Sequence, residues 1–114
     1  MKKTGKIDYV ELPGGDLPKT KAFYAEAFEW RFVDYGPTYA AFEDAGLDGG
    51  FQADPTAAPR SPLVILFSED LEATLERAVK AGARITAPIF SFPGGRRFHF
   101  EDPAGNELAV WSDR

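Results

Sequence analysis

The spacing of apolar residues changes along the chain between strand-like and helix-like periods, and the change points mark the elements. Ile7 to Leu12 reads as a short strand, ended by Pro13-Gly14-Gly15. Asp16 then stands as a helix N-cap, with Pro18 in the first turn, where its missing N–H costs nothing. Phe23, Tyr24, Ala27 and Phe28 recur at helical spacing through about Trp30 and are expected to form the core-facing stripe. Strands are predicted over 32–35, 39–43 and 50–52, separated by the turns Gly36-Pro37 and Asp44-Ala45-Gly46. Residues 54–62 hold Pro55, Pro59 and Pro62 and read as the longest irregular connection.

The pattern then restarts. Leu63 to Phe67 is a continuous apolar run of strand length, and Asp70 caps a second helix with Leu71, Leu75, Ala78 and Val79 on one face. Gly82 sits where a C′ glycine belongs. Further strands are expected over 83–86, 97–101 and 107–111, the last two joined by the turn Asp102-Pro103-Ala104-Gly105-Asn106. Gly94-Gly95 before Arg96-Arg97 reads as a hairpin or a flexible rim rather than a phosphate cradle. Asp16-Leu17 and Asp70-Leu71 each follow a strand and open a helix, 54 residues apart. Phe42-Glu43-Asp44 and Phe100-Glu101-Asp102 each end a strand before a glycine turn, 58 residues apart. These matches recur in the same order within a β-α-β-β-β pattern, which points to a duplication of about half the chain. One such unit cannot cover both faces of its own sheet, so two should pair.

Composition narrows the chemistry. A length of 114 residues suits one domain, and 44% apolar content with 16 aromatics is enough for a core. Zero cysteines exclude disulfides, thiolate metal sites and a cysteine nucleophile. One histidine excludes any site that needs two imidazoles from one chain. A formal charge of −5 argues against nucleic acid, whose binding needs basic patches. No apolar run reaches the ~18 residues of a membrane span. The basic start, residues 1–6, lacks the apolar stretch of a signal peptide, so a cytoplasmic location is expected.

The residues resemble the vicinal oxygen chelate superfamily, the group of glyoxalases, bleomycin-resistance proteins and extradiol dioxygenases. The likeness runs from about Lys6 to Trp111. It rests on Val10-Glu11-Leu12-Pro13 leading to Asp16-Leu17 and Ala22-Phe23-Tyr24, then on Asp70-Leu71 leading to Lys80-Ala81-Gly82-Ala83. The most specific piece is Phe100-Glu101-Asp102-Pro103-Ala104-Gly105-Asn106-Glu107-Leu108. The resemblance implies an α+β fold in which two βαβββ modules, about residues 6–54 and 61–112 of a single domain, curl around one open cavity, commonly in a homodimer. It also implies where active members hold a divalent metal. Counted from the helix caps and the terminal turn, those positions are Tyr9, Val64 and Ala109, with Gln52 the one donor near the fourth. Valine and alanine cannot ligate, tyrosine seldom does, and one glutamine cannot hold a hard cation. No metal or other cofactor is therefore expected.

Strand alternation gives the expected cavity lining. With Tyr9 facing in, Glu11 faces in too. With Val64 facing in, Leu66 and Ser68 follow, leaving Ile65 and Phe67 to the helix side. Glu107 and Trp111 share the side of Ala109, and the resemblance places Arg97 and His99 inward on the preceding strand. The lining expected for a ligand is thus Tyr9, Glu11, Gln52, Val64, Leu66, Arg97, His99 and Trp111. His99 would be the one side chain titrating near neutrality. Two functions fit. One is a metal-free binding protein for a small organic molecule, as bleomycin-resistance relatives imply. The other is an enzyme of the superfamily, a lactoylglutathione lyase-like lyase or isomerase or a dioxygenase, with an atypical metal site.

Overall fold

The computed structural model describes residues 2–114, and the restart of the pattern divides them into two units: residues 9–63, and residues 64–114 together with 2–8. In chain order the first repeat runs β1 (Ile7–Pro13), α1 (Leu17–Phe28), β2 (Arg31–Asp34), β3 (Tyr39–Glu43) and β4 (Gly49–Gln52). The second runs β5 (Leu63–Phe67), α2 (Leu71–Lys80), β6 (Arg84–Phe92), β7 (Gly95–Glu101) and β8 (Glu107–Ser112). Strands are ordered β2-β3-β4-β1 in the first repeat and β6-β7-β8-β5 in the second. The β1–β4 and β5–β8 pairs are parallel and the remaining pairs antiparallel. The same βαβββ order thus occurs twice, and the fold class is α+β as the repeat implies.

Both helices start where the caps direct. Asp16 Oδ1 accepts from the Lys19 amide at 3.3 Å, and Asp70 Oδ1 from the Ala73 amide at 3.1 Å. The second start is reinforced by buried Ser68, whose Oγ accepts from the Asp70 amide at 3.1 Å and pairs with Thr74 Oγ1 at 2.6 Å. We expect Asp70→Ala to cost about 1 kcal/mol in a denaturant titration, because an orphan amide of the first turn loses its acceptor. An unchanged midpoint would show that water replaces the carboxylate fully.

The aromatic stripe of α1 is a correction. Only Tyr24 joins the core, stacked on Trp30 at 4.7 Å and packed near Phe51 at 5.3 Å. Phe23 and Phe28 are 57% and 59% exposed. The buried face of α1 is set by Leu17, Thr20 and Tyr24, at helical spacings of three, four and seven; Phe23 lies about 100° off that line. Phe28 is the last helical residue, before Glu29 ends the helix in a left-handed conformation at φ 63°. In α2, Leu71 is buried and Leu75 packs on the same core, but Val79 at the far end stays about half exposed.

Strand β6 extends well past the expected end at Thr86. Pro88 is tolerated because β6 is an edge strand whose register to β7 shifts between Ile85 and Ala87 and again between Ala87 and Phe90. Phe92 pairs with Gly95, so Pro93-Gly94 is a two-residue hairpin turn. Arg96 is consumed structurally: its guanidinium donates to both Glu72 carboxylate oxygens and to the Arg114 carbonyl. The glycine-arginine run is a hairpin and not a phosphate cradle.

Candidate functional site

Register fixes which side chains share a sheet face. In the first repeat Leu12 pairs with Phe51 and Phe51 with Ala40, and all three pack with Leu17 beneath α1. The opposite face therefore carries Glu11 beside Gly50 and Ala41, and Gln52 beside Tyr39. Tyr9, two residues before Glu11, belongs to it as well. Three of its polar side chains are joined: the Tyr9 and Tyr39 hydroxyls lie 2.7 Å apart, and Tyr39 donates to Glu11 Oε1 at 3.4 Å. Glu11 is only 5% exposed. Gln52 stands apart from this chain, its Oε1 accepting from the Asp54 amide at 2.9 Å.

Gly50 makes that arrangement possible. A Cβ at this position would sit 2.6 Å from the Tyr39 hydroxyl and 2.8 Å from its ring, so the phenol lies across bare backbone. Tyr39 itself is a functional candidate that sequence reading placed in a strand but not on this face. The register to Gln52 is the signal that finds it.

Burial pushes both phenols above the usual tyrosine range, so both are neutral donors at any physiological pH. For Tyr39 the bond with Tyr9 adds to the rise, whereas for Tyr9 the bond with Tyr39 acts in the opposite direction. The nearby Glu11 carboxylate raises both. A pKa raised on folding gives stability that is complete below the unfolded value, about 10 for tyrosine, and is lost as pH rises beyond it. The thermal midpoint should therefore fall as pH climbs above about 10, and fall less in Tyr39→Phe. Parallel pH profiles for the two proteins would refute this linkage.

The second repeat overturns two of the five lining residues expected of it, Val64 and Leu66. Phe98 pairs with Val110, and Val110 with Leu66; these residues pack with Leu71 and Leu75 beneath α2. Leu66 thus faces the helix, and Val64, two residues earlier and paired with Leu108, faces it too. Ser68 serves the cap of α2. The other face carries Ile65 beside Ala109 and Phe67 beside Trp111, together with His99 and Arg97. Leu63 to Phe67 are five apolar residues in a row, so only the parallel register to β8 shows which of them turn which way.

On this face Arg97, His99 and Trp111 keep their expected positions and acquire aromatic neighbours from β6. The Arg97 guanidinium carbon lies 5.4 Å from the Phe90 ring centroid and 5.6 Å from that of Phe92. The His99 ring is 5.7 Å from Phe90, and its Nδ1 is 3.4 Å from Glu107 Oε2. Trp111 meets Phe67 edge to face at 5.3 Å, and its Nε1 donates to Asp8 Oδ2 at 2.9 Å. Phe90 and Phe92 were missed because Pro88 hid the strand that carries them. Their alternation in Phe90-Ser91-Phe92 was the available signal.

The residues at the implied metal positions do not fit a metal. The Tyr9 hydroxyl is bonded to a second phenol and the Gln52 oxygen to a backbone amide. Ala109 is wholly buried and has no donor atom, while Val64 faces α2. Its replacements on the correct face, Ile65 and Phe67, are hydrocarbon. Among the described residues no three His, Cys, Asp or Glu side chains group as a metal set would.

The repeated βαβββ order with a polar, aromatic face in each repeat defines a class of protein, and the family comparison agrees. Residues 6–110 match the Glyoxalase/Bleomycin resistance protein/Dioxygenase superfamily, and the chain belongs to that family. It is similar to the anthracycline biosynthesis protein DauV of Streptomyces sp. (strain C5), at 29% identity over 113 residues, covering 93% of this chain and 41% of that protein. The chain thus spans about two fifths of that relative's length. Among solved structures it resembles methylmalonyl-CoA epimerase from Mycobacterium tuberculosis, with 15% identity, TM-score 0.72, and coverage of 98% of this chain and 90% of that one. It also resembles the Mn(II)-bound glyoxalase from Novosphingobium aromaticivorans, with 21% identity, TM-score 0.67, and coverage of 99% and 40%. At such identities the structural likeness shows the fold alone. No helix among the described residues is long and apolar enough to cross a membrane.

Proposed function

We propose that this chain binds small organic molecules without a metal, at the sheet face that each repeat turns away from its own helix. The observation that carries the reading is the donor set: the four implied metal positions hold two hydrocarbon side chains, a phenol already bonded to a phenol, and a glutamine whose side-chain oxygen already accepts from a backbone amide. The ligand class follows from the faces. Arg97 lies over two phenylalanine rings beside His99 and Trp111, which suits a flat aromatic molecule. On the face of the first repeat, taken by itself, the phenol protons are used along the chain from Tyr9 through Tyr39 to Glu11, and the phenol oxygens remain as acceptors, which suits a ligand hydroxyl. The relative whose description names anthracycline biosynthesis supports a polycyclic aromatic of that kind.

An anthracycline titrated against chelator-treated protein should quench tryptophan fluorescence and saturate. Arg97→Ala and His99→Ala should each weaken binding by about three- to thirtyfold, the worth of a cation–π or ring contact. Equal affinity in both variants would remove these residues from the site. By the family likeness we take the protein to be a homodimer, a state that its mass in solution checks directly.

A further inference from the structure

We propose that the segment 2–8 forms, with Phe67, a second binding site that takes a small organic anion. A cavity of about 550 Å³ opens there, lined by Lys2, Lys3, Lys6, Ile7, Asp8 and Phe67. That volume lies within the ~300–1,000 Å³ of small-molecule sites. Three of the six lining residues are lysines, on a chain whose formal charge is −5. The lone carboxylate among them is already spent. Asp8 Oδ1 takes the Lys2 ammonium at 2.8 Å, and Asp8 Oδ2 takes the Trp111 indole N–H at 2.9 Å. Among the described residues Lys3 and Lys6 make no ion pair, so two ammonium groups at the cavity lack a counter-charge.

The backbone that presents them is fixed in place. The Gly5 amide donates to the Phe67 carbonyl at 2.8 Å, and the Phe67 amide to the Lys6 carbonyl at 3.1 Å. The Glu69 amide donates to Thr4 Oγ1 at 2.9 Å. The segment is thereby an added edge to β5, which lowers the ordering cost of gathering the lysines around a ligand. Ile7, 64% exposed, and the aliphatic lysine stems supply apolar wall, so a bare inorganic anion would leave half the lining unused. A polyanion or an anionic membrane would meet the acidic remainder of the chain, which favours a small ligand. The site shares Phe67 with the second repeat's face and touches that face's Trp111 through Asp8, but its lysines lie outside that face, and the proposal does not depend on the function proposed there.

The Trp111 indole N–H is tied to Asp8, and its ring centroid lies 5.8 Å from the Lys2 ammonium, which makes it a resident reporter. Its indole N–H signal should be followed by NMR at low salt while phenyl phosphate, benzoate or inorganic phosphate is added. The expected result is a saturable shift with phenyl phosphate or benzoate, at least about tenfold tighter than with inorganic phosphate, and weakened by added salt. Whichever organic anion binds more tightly identifies the head group. Lys3→Gln with Lys6→Gln should weaken binding about tenfold or more, and Arg97→Ala should leave it unchanged. Both substitutions are at exposed positions, and an unchanged thermal midpoint confirms that the variants are folded. No shift with either organic anion, or equal affinity in the double variant, or equal affinity for inorganic phosphate, overturns the proposal.

Discussion

Phe98→Ala is expected to cost the fold about 3–5 kcal/mol, read as a lowered denaturant midpoint with little change in slope. Phe98 is fully buried in the middle of β7 and packs with Leu71 and Val110, while Leu66, Leu75, Ile85, Ile89 and Phe100 close around it. Truncation loses the transfer free energy of a benzyl group and leaves a cavity that strands β7 and β8 cannot collapse into, because Phe98 and Val110 are directly paired. A loss of that size is a large part of the ~5–15 kcal/mol that holds a domain of this kind together. Phe98→Leu keeps most of the volume and should cost clearly less. If the two variants lose the same stability, the site is looser than its packing indicates.

The second large effect concerns two adjacent glycines whose substitutions should fail in different ways. A Cβ on Gly49 would stand 2.3 Å from the Val10 carbonyl oxygen and 2.3 Å from the end of the Phe42 ring. The Val10 oxygen belongs to the backbone beside the β1–β4 ladder, and Phe42 is only 6% exposed, so neither can step aside. Gly49→Ala should therefore destabilise by about 3 kcal/mol or more, at the upper end of overpacking costs. A Cβ on Gly50 meets only the Tyr39 ring and hydroxyl, the far end of a side chain that can rotate. Gly50→Ala should stay folded but break the link from Tyr9 through Tyr39 to Glu11, and ligand affinity should fall. Measuring thermal midpoint and anthracycline affinity on both variants separates the two cases. Equal behaviour would mean that the Tyr39 position is not functional.

Most of the architecture is legible in the sequence, because its signals are local. Caps at Asp16 and Asp70, the turn after Asp102 and the repeated β-α-β-β-β order each rest on a few neighbouring residues. The site was legible only where alternation was visible. Tyr9-Val10-Glu11-Leu12 alternates polar with apolar, and its faces emerge as expected. Leu63 to Phe67 does not alternate, and the facing that the sequence suggests for Val64 and Leu66 is the reverse of the one set by pairing with Leu108 and Val110. Phe23 and Phe28 match a helical stripe by spacing alone, but the buried face runs through Leu17 and Tyr24 instead. Pro88 concealed the strand that brings Phe90 and Phe92 beside Arg97, since an edge strand with shifted register admits a proline that a central strand would reject. With Val64 turned away, the positions that replace it are Ile65 and Phe67, and neither carries a donor atom.

The central claim is metal-independent ligand binding, and one paired measurement tests it most directly. Protein purified without chelator is assayed for metal content, then titrated with an anthracycline before and after exhaustive chelation. The expected result is metal far below one equivalent per chain and the same dissociation constant in both titrations. Near-stoichiometric nickel, zinc, iron or manganese, with binding abolished by chelation and restored by that metal, would contradict the claim and favour an enzyme with an atypical metal site.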